Sequence, residues 1–220
     1  TKEIEQGEEK RLAIVNVLRK YIKESKAIRF EGDGYSDDWV KEAAKRGLSN
    51  IKNMPRAIEG YVSKKSLELF EKHGVMTHKE VEARNEIKLE SYIKRVQIEG
   101  RVIGDLAMNH IIPTAIAYQN KLITNANGLK GLGVDNKTVV QTITEISTHI
   151  DTIKMNVREM VEERKRLNKL TDTHKRALGY CDDVKEKYFD KIRDAVDRLE
   201  LLVDNEDWPL VKYRELLFLR

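Results

Sequence analysis

The sequence predicts an all-α protein, in which several short helices lead into a long kinked helix and an antiparallel hairpin of two long helices, together a helical bundle. Three observations predict this class. Charged residues make up 35% of the 220 residues and aromatic residues only 6%, a balance typical of long helices. Apolar residues recur at spacings of three and four, and there are only three prolines. We expect a segment of short helices with a Gly-Asp-Gly turn over residues 1–76 and a long-helix bundle with an apolar C-terminal tail over residues 77–220.

The N-terminal segment carries an apolar stripe that predicts a helix over residues 3–25. The stripe consists of Leu12, Val15, Leu18 and Ile22, which share one helix face. A second helix is expected to begin at Ser36, because serine followed by two aspartates is a strong N-terminal signal, and to end at Gly47.

Two further short helices are predicted over residues 55–62 and 64–73. Pro55 suits the first turn of a helix. Ser63 suits the cap of the next helix and Gly74 its end.

The long kinked helix is expected to begin near His78, because Thr77 and Glu80 match the capping box. Pro113 removes one helical hydrogen bond and predicts a kink over residues 109–113. Gly100 and Gly104 predict a close approach of another backbone. Residues 125–133 contain three glycines and predict a loop.

The hairpin is predicted from the sharpest apolar pattern in the chain. Asp135 is expected to cap a helix that runs to Leu170, and a third long helix is expected from Asp172 to Asp204. The turn between them is short, so they should lie antiparallel. The first helix carries four heptads of a seam, which consists of Val139, Ile143, Ile146, Ile150, Ile153, Val157, Met160 and Leu167. In the second, Tyr188, Ile192, Ala195, Leu199 and Leu202 repeat the spacing.

Composition excludes several classes of protein. A net charge of +4 over 220 residues gives no basic stripe of the density that nucleic acid requires. Cys181 is the single cysteine and has no disulfide partner. Neither a signal peptide nor an apolar run near 18 residues is found, so we expect a cytoplasmic protein without a membrane span. The chain opens at Thr1 without methionine, which indicates a piece of a longer protein.

One turn is the candidate substrate or nucleotide contact. Gly32, Asp33, Gly34 and Ser36 form a glycine-containing turn before a helix, and turn amides and helix N-termini attract anions. The surrounding aspartates oppose an anion, and the spacing fits neither the dinucleotide fingerprint nor the P-loop. A plain turn and helix cap is therefore the favoured interpretation.

Other chemistry-bearing residues favour structural roles, and we predict no catalytic residue and no metal site. His78 with Glu82, and Glu145 with His149, are each one helical turn apart, but neither pair has a third ligand. Cys181 has only His174 as a base nearby in sequence and falls near an apolar face, which favours a packed thiol over a nucleophile.

The C-terminal tail is too apolar to remain in water. It contains Trp208, Tyr213, Leu216, Leu217 and Phe218. We expect it to dock on this helical region, on a domain outside these residues or on a neighbouring subunit.

Four strings together resemble a known family. They are IRFEGDGYSDDWVKEAAKRGL at 28–48, LFEKHGV at 69–75, IIPTAIAYQ at 111–119 and DWPLVKYRELL at 207–217. In order and spacing they resemble the helical region that follows the catalytic domain in type III glutamine synthetases. The resemblance covers nearly the whole chain.

The resemblance implies a parent enzyme that joins ammonia to glutamate with ATP and Mg or Mn, assembled as a double-ring homo-oligomer. Its catalytic strands, with their Glu, His and Arg ligands, have no counterpart here, so no catalytic residue is transferred and no cofactor is expected in this chain. The implied partners are the parent's own catalytic domain and neighbouring subunits, with no nucleic acid and no membrane.

The sequence therefore predicts the C-terminal structural and assembly region of a type III glutamine synthetase. The alternative is a free-standing helical adaptor that binds partner proteins through the seam over residues 139–167. A small helical enzyme is disfavoured, because no acid–base or nucleophile set recurs on one face.

Overall fold

The computed structural model describes Gly7 and residues 9–218, apart from the side chains of Tyr213 and Arg214. The described residues contain helices and no strand, so the all-α prediction is confirmed. None of the described helices has the length and apolar character of a membrane span. The α-helices are α1 (Lys10–Glu24), α2 (Asp37–Lys45), α3 (Met54–Ala57), α4 (Lys64–Lys72), α5 (His78–Asp105), α6 (Ile112–Gly131), α7 (Lys137–Leu167), α8 (Thr173–Gly179), α9 (Asp190–Leu202) and α10 (Tyr213–Leu216).

Contacts divide the chain into two compact units, Thr1–Ile51 and Lys52–Arg220. The first contains α1 and α2, and the second contains α3 to α10. The expected domain division after residue 76 stays a prediction.

Helix α1 begins later than the apolar stripe predicts. Gly7 has a φ of 92° and Glu9 is extended, so the helix begins at Lys10. Residues 3–6 and 8 of the predicted helix lie outside the described residues. The side chains of the stripe, Leu12, Val15, Leu18 and Ile22, are exposed. A 3₁₀ turn over Ser25–Ile28 follows.

The short helices α3 and α4 lie close to their predicted positions. Pro55 lies in the first turn of α3, and a 3₁₀ turn, Ile58–Gly60, continues it. Ser63 Oγ accepts a hydrogen bond from Ser66 N and caps α4. These helix starts are therefore confirmed.

The kinked helix is capped as predicted. Thr77 Oγ1 accepts from Glu80 N at 3.4 Å, while Thr77 N donates to Glu80 Oε2 at 2.7 Å. Between α5 and α6 the helix widens into a π-helical turn, Leu106–Ile111. This π-helical turn overlaps the residues of the predicted kink, and the helix continues through it. Pro113 offers no N–H and its ring crowds the preceding turn.

Side chains, and not a backbone as expected, approach Gly100 and Gly104. A Cβ on Gly104 would lie 3.5 Å from Val157 Cγ1, and one on Gly100 would lie 3.5 Å from the Phe189 ring. Both glycines are buried. Because they carry no side chain, α5 packs closely against α7 and against the helical segment that contains Phe189.

The loop predicted over residues 125–133 is wrong, because α6 continues to Gly131. Ala126 is buried, and its carbonyl accepts a hydrogen bond from Asn136 Nδ2 at 3.1 Å. This packing offsets the helix-interior cost of glycine, about 1 kcal/mol each. The helix ends at Gly131, and Gly133 follows its C-cap with a φ of 72° while Val134 N donates to Leu129 O at 2.9 Å, as in a Schellman motif.

We expect Gly128→Ala to stabilise the protein by about 0.5–1 kcal/mol. A Cβ there meets nothing within 4 Å and φ is not positive, so alanine lowers only the entropy of the unfolded chain. Gly133→Ala is the matched control and should destabilise the protein by about 1 kcal/mol or more, because its φ is left-handed. Urea midpoints measure both changes, and equal shifts would contradict the extended α6.

The predicted seam is confirmed over residues 146–167 of α7, whereas Val139 and Ile143 at its start are half-buried. Ile146, Ile153 and Met160 have no exposed surface, and Ile150, Val157 and Leu167 are at most 8% exposed. The helix ends at Leu167, before the expected Leu170. Its N-cap residue is Asn136 and not the expected Asp135, although Asp135 Oδ1 accepts from Lys137 N at 3.0 Å. The seam packs inside the bundle against the last helices.

The third long helix is not uniform. It consists of α8, a π-helical segment over Tyr180–Phe189, and α9. Tyr180, Val184, Tyr188 and Ile192 are buried and follow three steps of four, and each such step carries an ideal α-helix about 40° beyond a full turn. The π-helical segment changes this rotation, and all four side chains lie in the core.

The two long helical runs form the predicted antiparallel hairpin. A short connection follows Leu167, and Asp172 Oδ1 caps α8 by accepting from Lys175 N. Arg166 near the end of α7 pairs with Asp183 at 2.8 Å. Contacts between α7 and α9 continue along the hairpin.

Part of the apolar tail docks on the bundle. Trp208 is buried in the core of the second unit, and Lys121 Nζ holds the adjoining Asp207 at 2.6 Å. Leu216, Leu217 and Phe218 remain exposed, whereas the side chain of Tyr213 lies outside the described part. Among the tail side chains that the structure describes, that of Trp208 is covered by this chain.

Candidate functional site

The predicted contact residues Gly32, Asp33, Gly34 and Ser36 come together in one turn before α2. Asp33 Oδ1 accepts from Tyr35 N at 2.9 Å. Ser36 Oγ accepts from Trp39 N at 3.3 Å and donates to Asp33 O at 2.7 Å. The polar side chains of the turn therefore hold the turn and cap α2.

Aromatic packing shapes the same turn. The Phe30 and Trp39 rings stack with centroids 4.4 Å apart, and a Cβ on Gly32 would lie 2.6 Å from Phe30 Cζ. A side chain at residue 32 would push the end of this ring away, which is a packing reason for Gly32. A contact between the turn and a nucleotide stays a prediction.

Cys181 is buried and free, as the packed-thiol interpretation predicts. Its Sγ lies 3.5 Å from Glu186 Oε1. A π-helix places residues five apart in contact. The sequence analysis missed this contact because it assumed α-helical spacing, in which residues three and four apart are neighbours. Burial raises the pKa of the Cys181 thiol and that of the nearby Tyr92 phenol, so the thiol stays protonated at neutral pH.

A carboxylate neighbour of this thiol forms a long-range ion pair. Asp182 accepts two hydrogen bonds from Arg56, at 2.8 and 2.7 Å. The Arg56 guanidinium holds the pKa of the Asp182 carboxyl below its usual range. The pair joins α3 to the π-helical segment.

Ligand atoms of Cys181, Asp182 and Glu186 lie within 4.8 Å of one another, a spacing open to a metal ion. The donor chemistry opposes a metal, because metals bind the thiolate and this thiol has a raised pKa. Both Asp182 oxygens also face the Arg56 cation. An ion-pair network explains the cluster better.

One member of each His–Glu pair considered in the sequence takes another partner. His78 Nε2 lies 3.2 Å from Glu71 Oε2, and Glu145 Oε1 accepts from Gln141 Nε2. His174 Nε2 lies 3.3 Å from Glu59 Oε1. These side chains therefore link neighbouring helical turns and segments on the surface.

We expect Arg56→Gln to remove an acid-sensitive part of the stability. The folded-state pKa of Asp182 is lowered by Arg56, so the contribution is fully present above the unfolded pKa, about 4, and is lost as pH falls through the folded value. Thermal midpoints from pH 7 to 2.5 should therefore differ at neutral pH and converge in acid. Arg158→Gln, at an exposed residue of α7, is the control with no such convergence. A pH-independent difference for Arg56→Gln would contradict the ion-pair account.

The second unit also carries an apolar groove that the sequence did not indicate. Its volume is about 520 Å³, and it lies between α5, α9 and the segment after Trp208. Ile98, Val102 and Val211 are exposed at its edge. The apolar lining consists of Ile98, Val102, Ile103, Leu106, Ala107, Ile111, Phe189, Val196, Trp208, Leu210 and Val211.

Charged groups surround this groove. Glu99, Arg193, Asp197 and Glu200 line it. Arg193 Nε pairs with Asp197 Oδ1 at 2.7 Å, whereas Glu99 and Glu200 make no side-chain ion pair among the described residues. The groove therefore has an apolar centre and an acidic edge.

Comparison with known proteins identifies similar sequences over the whole chain. The family described as Glutamine synthetase C-terminal domain matches residues 13–130, more than half of the chain. A glutamine synthetase of Bacteroides fragilis (strain YCH46) is 42% identical over 98% of this chain and 30% of that protein.

Two further relatives carry similar names. A type-3 glutamine synthetase of Dictyostelium discoideum is 30% identical over 87% of this chain and 27% of its own length. A glutamine synthetase of Butyrivibrio fibrisolvens is 28% identical over 96% of this chain and 30% of its own length. The chain thus spans less than a third of the curated relatives that it matches.

Proposed function

The chain belongs to the glutamine synthetase C-terminal domain family, and from this membership we propose that it is the structural and assembly region of a type III glutamine synthetase. In this proposal the parent enzyme ligates ammonia to glutamate at the expense of ATP. ATP and Mg or Mn bind in the catalytic domain outside these residues. The partners of this region are that domain and neighbouring subunits of a homo-oligomer.

The distribution of apolar surface is the observation that carries this proposal. The seam of α7 is closed within the chain, so the bundle supports itself. In contrast, Ile98, Val102, Val211 and the end of the tail are open to solvent. Of these, Ile98, Val102 and Val211 line one groove, and exposed apolar surface gathered in one place marks an interaction site.

Surface pairing of charges supports a non-catalytic role. Glutamine formation requires convergent carboxylates, metal ions and arginines around a phosphorylated intermediate. Several carboxylates instead pair along their own helices, as in Glu42 with Arg46, Glu163 with Arg166 and Asp197 with Arg193. The turn of Gly32, Asp33, Gly34 and Ser36 is the proposed point of contact with the active-site region in the intact enzyme.

The adaptor alternative requires the seam over residues 139–167 to face a partner. Ile146, Ile153 and Met160 are instead buried by the chain's own helices. A partner would have to open the bundle to reach them. The assembly role explains the same residues without that step.

Calorimetric titration of the isolated chain with ATP and magnesium tests the non-catalytic role. We expect no binding heat up to millimolar ATP, with the full-length parent enzyme as the positive control. Micromolar binding by the isolated chain would contradict the proposal. A loss of that binding in Ser36→Ala would then direct attention to the turn before α2.

A further inference from the structure

The acid-edged apolar groove of the second unit is the surface with the clearest unmet partner. We propose that it receives an apolar helix flanked by lysine or arginine, supplied by the part of the parent enzyme outside these 220 residues. This inference rests on the proposed function and names the docking surface that it uses.

The open edge of the groove indicates a polypeptide occupant. Ile98 and Val102 lie one turn apart on α5 and line the groove. Val211, which belongs to the segment after Trp208, also lines it. All three are exposed. An amphipathic helix that enters a groove presents apolar side chains at this same spacing of three and four, and a volume of about 520 Å³ admits several of them.

Charge selects the chemistry of the occupant. The Arg193 guanidinium pairs with Asp197. The carboxylates of Glu99 and Glu200 face one further cation at this edge, the Lys212 ammonium on Glu200 O, so these five groups keep a net negative charge. Basic side chains beside the docking helix complement these carboxylates. A second copy docking through the same face would place like charges opposite each other in an isologous contact.

The chain length outside these residues supplies the occupant. The relatives are more than three times as long as the matched region, since the chain covers at most 30% of them. Most of such a polypeptide is therefore available to cover the groove. The fixed position of the groove wall also favours docking, because Lys212 Nζ donates to Glu200 O and Asn205 Oδ1 and anchors the segment beside Val211.

Site-resolved thiol alkylation tests the proposal without unfolding the protein. Ile98 and Ile87 are both 62% exposed on α5, but only Ile98 lines the groove. Ile98→Cys and Ile87→Cys should be alkylated at similar rates in the isolated chain. In the full-length parent enzyme, the thiol of Ile98→Cys should react at least tenfold more slowly, while that of Ile87→Cys should keep its rate.

Charge reversal provides the second arm. Adding Glu99→Lys and Glu200→Lys to the full-length Ile98→Cys variant should restore most of the alkylation rate, whereas Glu162→Lys, at an exposed residue of α7, should leave the protection intact.

Four results would overturn the proposal: equal alkylation of Ile98→Cys in the two proteins, equal protection of both thiols, no effect of the charge reversal, or protection in the isolated chain that grows with its concentration, which would identify a second copy as the occupant. The proposed function would survive each of them if deletion of this region still dissociated the enzyme, so the two failures are distinguishable.

Discussion

Replacing Ile153 by aspartate should abolish stable folding of the helical bundle. Ile153 lies at the centre of the seam and has no exposed surface. A carboxylate there loses its hydration without gaining a partner, and the site loses its apolar contacts. We expect a loss of about 4 kcal/mol or more, which is comparable to the whole stability of many domains.

Urea unfolding followed by circular dichroism measures this effect. Met155→Asp is the matched control, because Met155 lies on the same helix and is 56% exposed. The control should change the free energy of unfolding by less than about 0.5 kcal/mol. Similar midpoints for both variants would show that the seam does not form the core.

The seam was predictable because its signal is both periodic and long. Steps of three and four over α7 leave one face apolar, and that face is the one the bundle buries. Helix starts that depend on a side-chain cap were also predictable, because the capping residue and its partner are close together in the sequence. The Thr77 capping box and the Ser36 and Ser63 caps each need only residues within one turn.

Tertiary packing decided the regions where sequence reasoning was wrong. The glycines near residue 128 indicated a loop, but the burial of Ala126 keeps α6 helical beyond them. The sequence pattern also did not indicate the π-helical segment Tyr180–Phe189, whose Tyr180, Val184 and Tyr188 are buried in the core. Local propensity does not contain this information.

The candidate sites depend on residues far apart in sequence. Arg56 and Asp182 are separated by 126 positions, and no spacing rule connects them. The groove combines α5, α9 and the segment after Trp208. In contrast, the turn of Gly32 to Ser36 is local, and its geometry was visible in the sequence.

Deleting the 220 residues from the parent enzyme should abolish its activity without touching a catalytic residue. In the proposed assembly, this region covers apolar surface of the catalytic domain and of neighbouring subunits, and the deletion would expose that surface. Obligate oligomers lose stability when they lose assembly. We expect activity below about 1% of the intact enzyme. A loss of activity would not by itself distinguish a damaged active site from a failed assembly. The assembly of the truncated enzyme must therefore be measured as well.

The mass of the truncated parent enzyme in solution, measured by multi-angle light scattering, tests the assembly role most directly. The account predicts a shift from the high-order oligomer of the intact enzyme to small species or soluble aggregates. An intact, active oligomer that lacks this region would contradict the account and would assign the region a regulatory or partner-binding role instead.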